Sequence, residues 1–179
     1  MGPDDDELIR RAKRGEGEAY AVLVQRHQQI AFRTAYAVCG NAAEAEDATQ
    51  DAFVKAYGAL GRFRAGEPWR PWLLQIVANE ARNRRRSEGR RRHLTTRVAH
   101  GGVTEAPPPD VVVLLRDERS TLAQAIARLE PPHREVVVLR HLLDLSEAEC
   151  AAVLGVPKGT VKSRLSRALE RLRGELGER

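Results

Sequence analysis

The sequence predicts an all-α protein made of two small helical domains joined by a flexible linker. Three observations support this. Apolar residues recur at helical spacing over most of the 179-residue chain. A segment with almost no periodicity, His93–Val112, contains GG and PPP. The stretch Leu145–Arg173 has the pattern of two helices joined by a sharp turn. We therefore predict a four-helix bundle at residues 1–92, a linker at 93–112 and a helix-turn-helix domain at 113–179.

The first domain begins with three predicted helices. Asp4–Lys13 carries acidic residues in its first turn, where the helix dipole favours them. Glu18–Cys39 is longer and ends before Gly40. Ala42–Leu60 follows, opened by an N-x-x-E cap that starts at Asn41. Its apolar set is Ala45, Ala48, Ala52, Phe53, Ala56, Tyr57 and Leu60, and its polar face carries Glu44, Asp47, Gln50, Asp51 and Lys55.

A loop rich in arginine and tryptophan precedes the fourth helix, predicted at Pro71–Arg86. Residues 61–72, GRFRAGEPWRPW, hold two glycines, two prolines, three arginines and both tryptophans of the chain. Asn79 and Asn83 point outward beside this loop. Aromatic and guanidinium planes stack on bases and arginines neutralise phosphates, so the segment suits single-stranded DNA. We favour this role for Asn79, Arg62 and Arg64, whereas Trp72, with or without Trp69, fits a core anchor better.

The second domain starts with helices predicted at Val113–Leu129 and Pro131–Leu143 and ends in the helix pair. Ser146 and Glu149 form a capping box, and Gly155 can end the first helix of the pair. The second has an apolar stripe of Val161, Leu165, Ala168, Leu169 and Leu172, and outward residues Lys162, Ser163, Arg164, Ser166, Arg167, Glu170, Arg171 and Arg173. This pattern matches a DNA-reading helix-turn-helix, and an amphipathic helix pair with a solvated basic face is the alternative.

Charge and composition narrow the classes of function. The net charge is +5, and it is unevenly spread. Residues 1–60 hold 7 basic and 10 acidic side chains, whereas residues 61–93 hold 10 and 3.

No apolar run approaches the ~20 residues of a membrane span, and the acidic N-terminus is unlike a signal peptide, so we expect a cytoplasmic protein without membrane insertion. We predict that Cys39 and Cys150 are buried thiols. The five histidines do not have the spacing that is typical of metal ligands. We expect no metal, no cofactor and no catalytic residues.

Three motifs, in this order, carry a resemblance to a known family: AEDATQDAFVKAY, FRAGEPWRPWLLQIVANEARNRRR and PPHREVVVLRHLLDLSEAECAAVLGVPKGTVKSRLSRALERLR. Together they resemble the bacterial RNA polymerase sigma factors of the extracytoplasmic-function (ECF) group of the sigma-70 family. The resemblance covers nearly the whole chain apart from the linker. It implies a sigma region 2-like first domain and a sigma region 4-like second domain.

The resemblance also implies which residues bind the polymerase and which bind each promoter element. The chain would bind core RNA polymerase at the β′ clamp helices and the β flap, direct it to promoter DNA and promote melting, without being an enzyme. It would also have an anti-sigma factor as its regulator. Polymerase-binding residues would be Asp47, Gln50, Asp51 and Phe53. Residues for the −10 element would be Arg62, Arg64, Trp69, Asn79, Asn83 and Arg86. Residues for the −35 element would be Lys162, Ser163, Arg164, Ser166, Arg167 and Arg171.

Two alternatives stay open at this point. A conventional helix-turn-helix transcriptional regulator would use only the terminal helices and dimerise through the first bundle. It gives no reason for tryptophans and asparagines beside an arginine run. A sigma-like decoy would titrate an anti-sigma factor without binding DNA, and the intact basic recognition helix argues against it. Co-purification with core polymerase separates the sigma factor from the conventional regulator.

Overall fold

The computed structural model describes residues 4–64, 66–95 and 121–177. Within these ranges the chain forms eight α-helices and no strand, so the all-α prediction is confirmed. The helices are α1 (Asp5–Lys13), α2 (Gly17–Cys39), α3 (Ala42–Ala59), α4 (Trp69–Thr95), α5 (Thr121–Arg128), α6 (Pro131–Val137), α7 (Glu147–Leu154) and α8 (Lys158–Gly177). A 3-10 turn, Leu60–Arg62, follows α3, and a π-helical turn, Val138–Leu142, follows α6.

The predicted helix ends are formed by local hydrogen bonds. The backbone N–H of Glu44 donates to Asn41 Oδ1 at 2.8 Å at the start of α3. Ser146 and Glu149 form the predicted capping box at the start of α7, at 3.2 and 2.7 Å. Gly40 and Gly155 end α2 and α7 with φ of 83° and 66°, in the left-handed region that glycine adopts without strain.

Helix α4 is longer than the predicted Pro71–Arg86. It starts at Trp69, and Pro71 fits because the N–H groups of the first turn have no intrahelical acceptor. It runs to Thr95, three residues past the predicted end of the first domain. The rest of the predicted linker and residues 113–120 of the following predicted helix lie outside the described residues.

The two helical units share one hydrophobic core. Buried side chains of the first unit, such as Leu73 and Val77, belong to the same cluster as Val136, Leu139 and Val153 of the second. The sequence predicts two small helical domains joined by a flexible linker. The units are instead docked, because α6, the π-helical turn and α7 cover apolar faces of α2 and α4. A smaller cluster between α5, α6 and α8 belongs to the second unit alone.

Charged side chains reinforce this docked arrangement. Glu135 of α6 is 4 % exposed. Its Oε1 lies 3.2 Å from Arg85 Nη1, and its Oε2 lies 3.5 Å from Arg82 Nη2, both on α4. Arg134 Nε donates to the Ala37 carbonyl of α2 at 3.2 Å. Burial, followed by the nearby charge of Arg85, lowers the pKa of Arg134. Glu135 therefore offsets positive charge that would otherwise accumulate at the contact between the units.

Candidate nucleic-acid interface

The helix-turn-helix presents a polar outer face on α8. Pro157 immediately precedes the helix, and its carbonyl accepts hydrogen bonds from the backbone N–H groups of Thr160 and Val161 at 2.9 and 3.2 Å. Val161, Ala168 and Leu172 are buried on the inner side, as predicted. Among the predicted DNA-reading residues Arg164 is half-buried, and the exposed ones are Lys162, Ser163, Ser166, Arg167 and Arg171. Hydroxyl and guanidinium groups that can bond base edges or phosphates are thus open to a major groove.

Arg171 lies at the edge of this face. Its Nη1 is 3.3 Å from Glu130 Oε1, and both side chains are more than half exposed. Such a surface ion pair is weak, so the guanidinium can exchange Glu130 for a phosphate.

A second polar strip runs along α4. Asn79, Asn83 and Arg86 are exposed, as predicted, and Gln75 extends the strip by one turn toward the loop. Arg82 Nη1 donates to Asn79 Oδ1 at 3.1 Å, which orients the amide. Gln75 was missed in the sequence, although its spacing of four residues from Asn79 indicates the same face.

The structure contradicts the predicted DNA contact of Trp69. Its side chain is only 3 % exposed, at the centre of an aromatic cluster with Phe63 and Trp72. The three ring pairs have centroid distances of 5.0 to 5.4 Å. Arg62 and Arg64 of the same loop are exposed. Burying an indole contributes more free energy than solvating it, so Trp69 packs inward and leaves the arginines to face solvent.

The acidic face of α3 is a third exposed surface. Asp47, Gln50 and Asp51 are exposed as predicted, but Phe53 is 8 % exposed and belongs to the core. Phe53 is therefore buried rather than exposed for polymerase binding, the role that the resemblance implied for it. Val54, one residue later, is 73 % exposed and lies four residues after Gln50 and three after Asp51. That spacing puts Val54 on the acidic face, whereas Phe53 is turned about 100° from Val54 round the helix axis, toward the buried side.

Two of these acids are joined by an arginine from α4. Arg84 donates from Nη1 to Asp47 Oδ2 at 2.8 Å and from Nη2 to Asp51 Oδ2 at 2.6 Å. The hydrogen bond to Asp51, together with the negative charge of Asp47, raises the pKa of Arg84. The helix that carries the asparagine strip is thus linked directly to the acidic face of α3.

Both cysteine thiols lie in the packed part of the described residues, Cys150 buried and Cys39 half-buried. Burial raises the pKa of Cys39 to about 12 and that of Cys150 to about 11, so both thiols stay protonated near neutral pH. Across the described ranges, no group of three or more His, Cys, Asp or Glu side chains could hold a metal ion. None of the described helices is long and apolar enough to cross a membrane.

Comparisons with known proteins give the chain its family. The family model for sigma-70 region 2 matches residues 23–91, and that for sigma-70 region 4 matches residues 119–172. The ECF RNA polymerase sigma factor SigW of Bacillus subtilis (strain 168) is 31% identical over 176 residues, covering 94% of each chain. The chain belongs to the ECF group of the sigma-70 family. The RNA polymerase sigma-H factor of Pseudomonas aeruginosa is 34% identical over 174 residues, covering 93% of this chain and 90% of the relative.

Two solved sigma-factor structures resemble this one. The structure of CnrH in complex with the cytosolic domain of CnrY has a TM-score of 0.68 at 30% identity and covers 97% of each chain. The sigma factor RpoE of Bartonella quintana, crystallised with the anti-sigma factor NepR, also has a TM-score of 0.68, at 28% identity. It covers 87% of this chain and 96% of its own. The first of these neighbours extends the likeness over both helical units.

Within this sigma factor, the exposed surfaces fall into the two matched regions. The region 2 match contains the acidic face of α3 and the polar strip of α4. The region 4 match contains the outward face of α8 through Arg171. Each surface predicted from the sequence thus lies in a region of the family model, although Phe53 and Trp69 are buried.

Proposed function

We propose that this ECF sigma factor binds core RNA polymerase through α3, captures the −10 element through α4 and reads the −35 element through α8. The observation that carries the proposal is the exposure of all three surfaces on one helical body. The protein performs no bond chemistry itself and acts in the cytoplasm, where it meets polymerase. Because both solved neighbours are complexes with CnrY or NepR, we also propose a regulatory protein partner of the anti-sigma class.

The polymerase-docking surface consists of Asp47, Gln50, Asp51 and Val54. Its carboxylates suit basic side chains of the β′ clamp helices, and the exposed Val54 supplies the apolar contact that the sequence analysis had given to Phe53. A charged surface with one apolar centre favours fast association and a defined orientation.

Promoter contacts follow from the two polar faces. On α4, the amides of Asn79 and Asn83 can bond the edges of unpaired bases, while Arg62, Arg64 and Arg86 contact phosphates. On α8, Lys162, Ser163, Ser166 and Arg167 face the major groove, and Arg164 and Arg171 hold the DNA backbone. Binding energy at both elements then offsets the few kcal/mol needed to extrude a base from the duplex.

Run-off transcription with reconstituted holoenzyme tests the proposal directly. Core RNA polymerase is mixed with the purified protein and a promoter library randomised at the −10 and −35 elements. We expect selective initiation from a narrow set of sequences that core enzyme alone does not use. Initiation with the same selectivity in the presence and absence of the protein would overturn the proposal. Failure to co-purify with core polymerase would favour a conventional helix-turn-helix regulator.

Asn79→Ala should reduce promoter opening without weakening polymerase binding. The side chain is exposed, so its loss leaves the core intact, and a base-edge contact is worth about 1–3 kcal/mol, or roughly five- to 150-fold. Permanganate footprinting of the melted region measures opening, and co-purification measures polymerase binding. Glu18→Gln, an exposed change on α2, serves as the control. A loss of polymerase binding or of helicity in Asn79→Ala would instead make Asn79 structural.

A further inference from the structure

We propose that Arg84 is shared between the two surfaces of the first unit. In the free protein it neutralises the acids of the docking surface, and polymerase binding displaces it from these acids so that it contacts promoter DNA. This inference rests on the proposed function, since it assigns a regulation to the same docking surface. The same guanidinium binds Asp47 and Asp51 in the free protein and promoter DNA when the protein is bound to core polymerase.

Arg84 lies on the side of α4 that faces α3. It follows Asn83 but is turned about 100° from it round the helix axis, and its guanidinium reaches Asp47 and Asp51 on α3 at 2.8 and 2.6 Å. Asp47 and Asp51 are one turn apart, so one planar guanidinium contacts both carboxylates. Any basic side chain that docks on these carboxylates competes with Arg84 for the same oxygens.

The ion pairs of Arg84 with Asp47 and Asp51 are weak enough for another cation to replace Arg84. The Arg84 side chain is 33% exposed, and those of Asp47 and Asp51 are 59% and 51% exposed. Ion pairs at this level of exposure are weak and are screened by salt. A partner that brings several cations can therefore displace Arg84 without a change in the fold.

The neighbouring arginines show why Arg84 is the one available for exchange. Arg82 and Arg85 are held by Glu135, which is 4 % exposed at the contact with the second unit. Arg84 is instead held at the surface by the exposed carboxylates of Asp47 and Asp51. Once released, its long side chain can turn toward a phosphate beside the asparagine strip.

The first experiment measures DNA binding by the free protein. A fluorescent single-stranded DNA of mixed sequence is titrated with wild type and with the double variant Asp47→Asn, Asp51→Asn. Releasing Arg84 should raise affinity about two- to tenfold and steepen the salt dependence by about 0.7 log units of affinity per log unit of salt, as for one added phosphate contact. Glu18→Gln combined with Glu46→Gln removes the same charge at exposed positions, since the described hydrogen bonds of Arg84 go to Asp47 and Asp51 instead.

An additional Arg84→Ala substitution isolates the contribution of this residue. In that background the Asp47→Asn, Asp51→Asn pair should raise affinity no more than the Glu18→Gln, Glu46→Gln control pair does. If the gain persists without Arg84, or if the control pair gives the same gain in the presence of Arg84, general charge explains the effect and the proposal is wrong.

The second experiment measures polymerase binding. Arg84→Ala should bind core polymerase about two- to tenfold more tightly at low salt, because the competing cation is gone. Weaker binding would mean that Arg84 only orients the carboxylates, and it would overturn the exchange. The proposed function fails separately, if wild type does not support selective run-off transcription. An active wild type with an unchanged Arg84→Ala affinity rejects only the exchange.

Discussion

Trp69→Ala should lower the free energy of unfolding by about 3–5 kcal/mol, a large part of the ~5–15 kcal/mol typical of a domain. The side chain is 3 % exposed and contacts Phe63 and Trp72 with ring centroids 5.4 and 5.0 Å away. Its removal leaves a cavity at the start of α4 and frees the loop that holds Arg62 and Arg64. Urea titration followed by far-ultraviolet circular dichroism measures the change.

Two further variants separate packing from DNA binding. Trp69→Phe should keep most of the stability, because it retains an aromatic ring and no described residue accepts a hydrogen bond from the indole N–H. Arg64→Ala, at an exposed position of the same loop, should leave stability within about 0.5 kcal/mol. If Trp69→Ala were as stable as wild type yet failed to bind −10 DNA, the tryptophan would be a DNA contact after all.

Local features were predictable because their determinants lie a few residues apart. Asn41, Ser146 and Gly155 cap helices through their own side chains or backbone, so the sequence indicates the boundaries without knowledge of the tertiary structure. The helix-turn-helix was predictable for the same reason, because the residues that determine it are close together in the sequence. Its polar outer face on α8 follows from a stripe of buried residues at helical spacing.

The roles given to Phe53 and Trp69 both drew on the family resemblance. Phe53 belongs to the apolar set of its helix, and the sequence left open whether Trp69 is a core anchor or a DNA contact. Along a helix, residues three and four apart share a face, whereas consecutive residues do not. Phe53 has buried Thr49 and Ala56 at these spacings, which places it in the core. For Trp69, which begins a helix after an irregular loop, no such periodicity was available.

The docking of the two units could not be predicted from the sequence. Apolar periodicity shows that α6 and α7 each have a face to bury, but it does not say which helix covers it. The contact depends on residues about 50 positions apart, such as Arg85 and Glu135. One feature of the sequence did indicate a partner for this face, namely the acid Glu135 next to the apolar run VVVL. A carboxylate beside a buried face requires a cation from another element.

Glu135→Ala should undock the two units and cost about 2–4 kcal/mol. Removing one partner of a buried ion pair typically costs about 3–5 kcal/mol, because the remaining charge is left without compensation. We expect the lower range because the side chains of Arg82 and Arg85 are 17% and 36% exposed and can recover part of their hydration. The cost should exceed that of a lost surface pair, since the half-buried Arg134 lies close enough to Arg85 for the two cations to repel each other.

In Glu135→Ala, loss of the contact between the two units can be measured separately from loss of the helices within each unit. Glu135 contacts arginines of the first unit rather than the small cluster formed by α5, α6 and α8. Its loss should therefore weaken the contact between units while each keeps its helices. Small-angle X-ray scattering should then show a radius of gyration above the ~16 Å of a compact chain of this length, with circular dichroism unchanged. Glu147→Ala, at an exposed acid of α7, should change neither. A compact Glu135→Ala variant of unchanged stability would show that the shared apolar core, rather than this carboxylate, holds the units together.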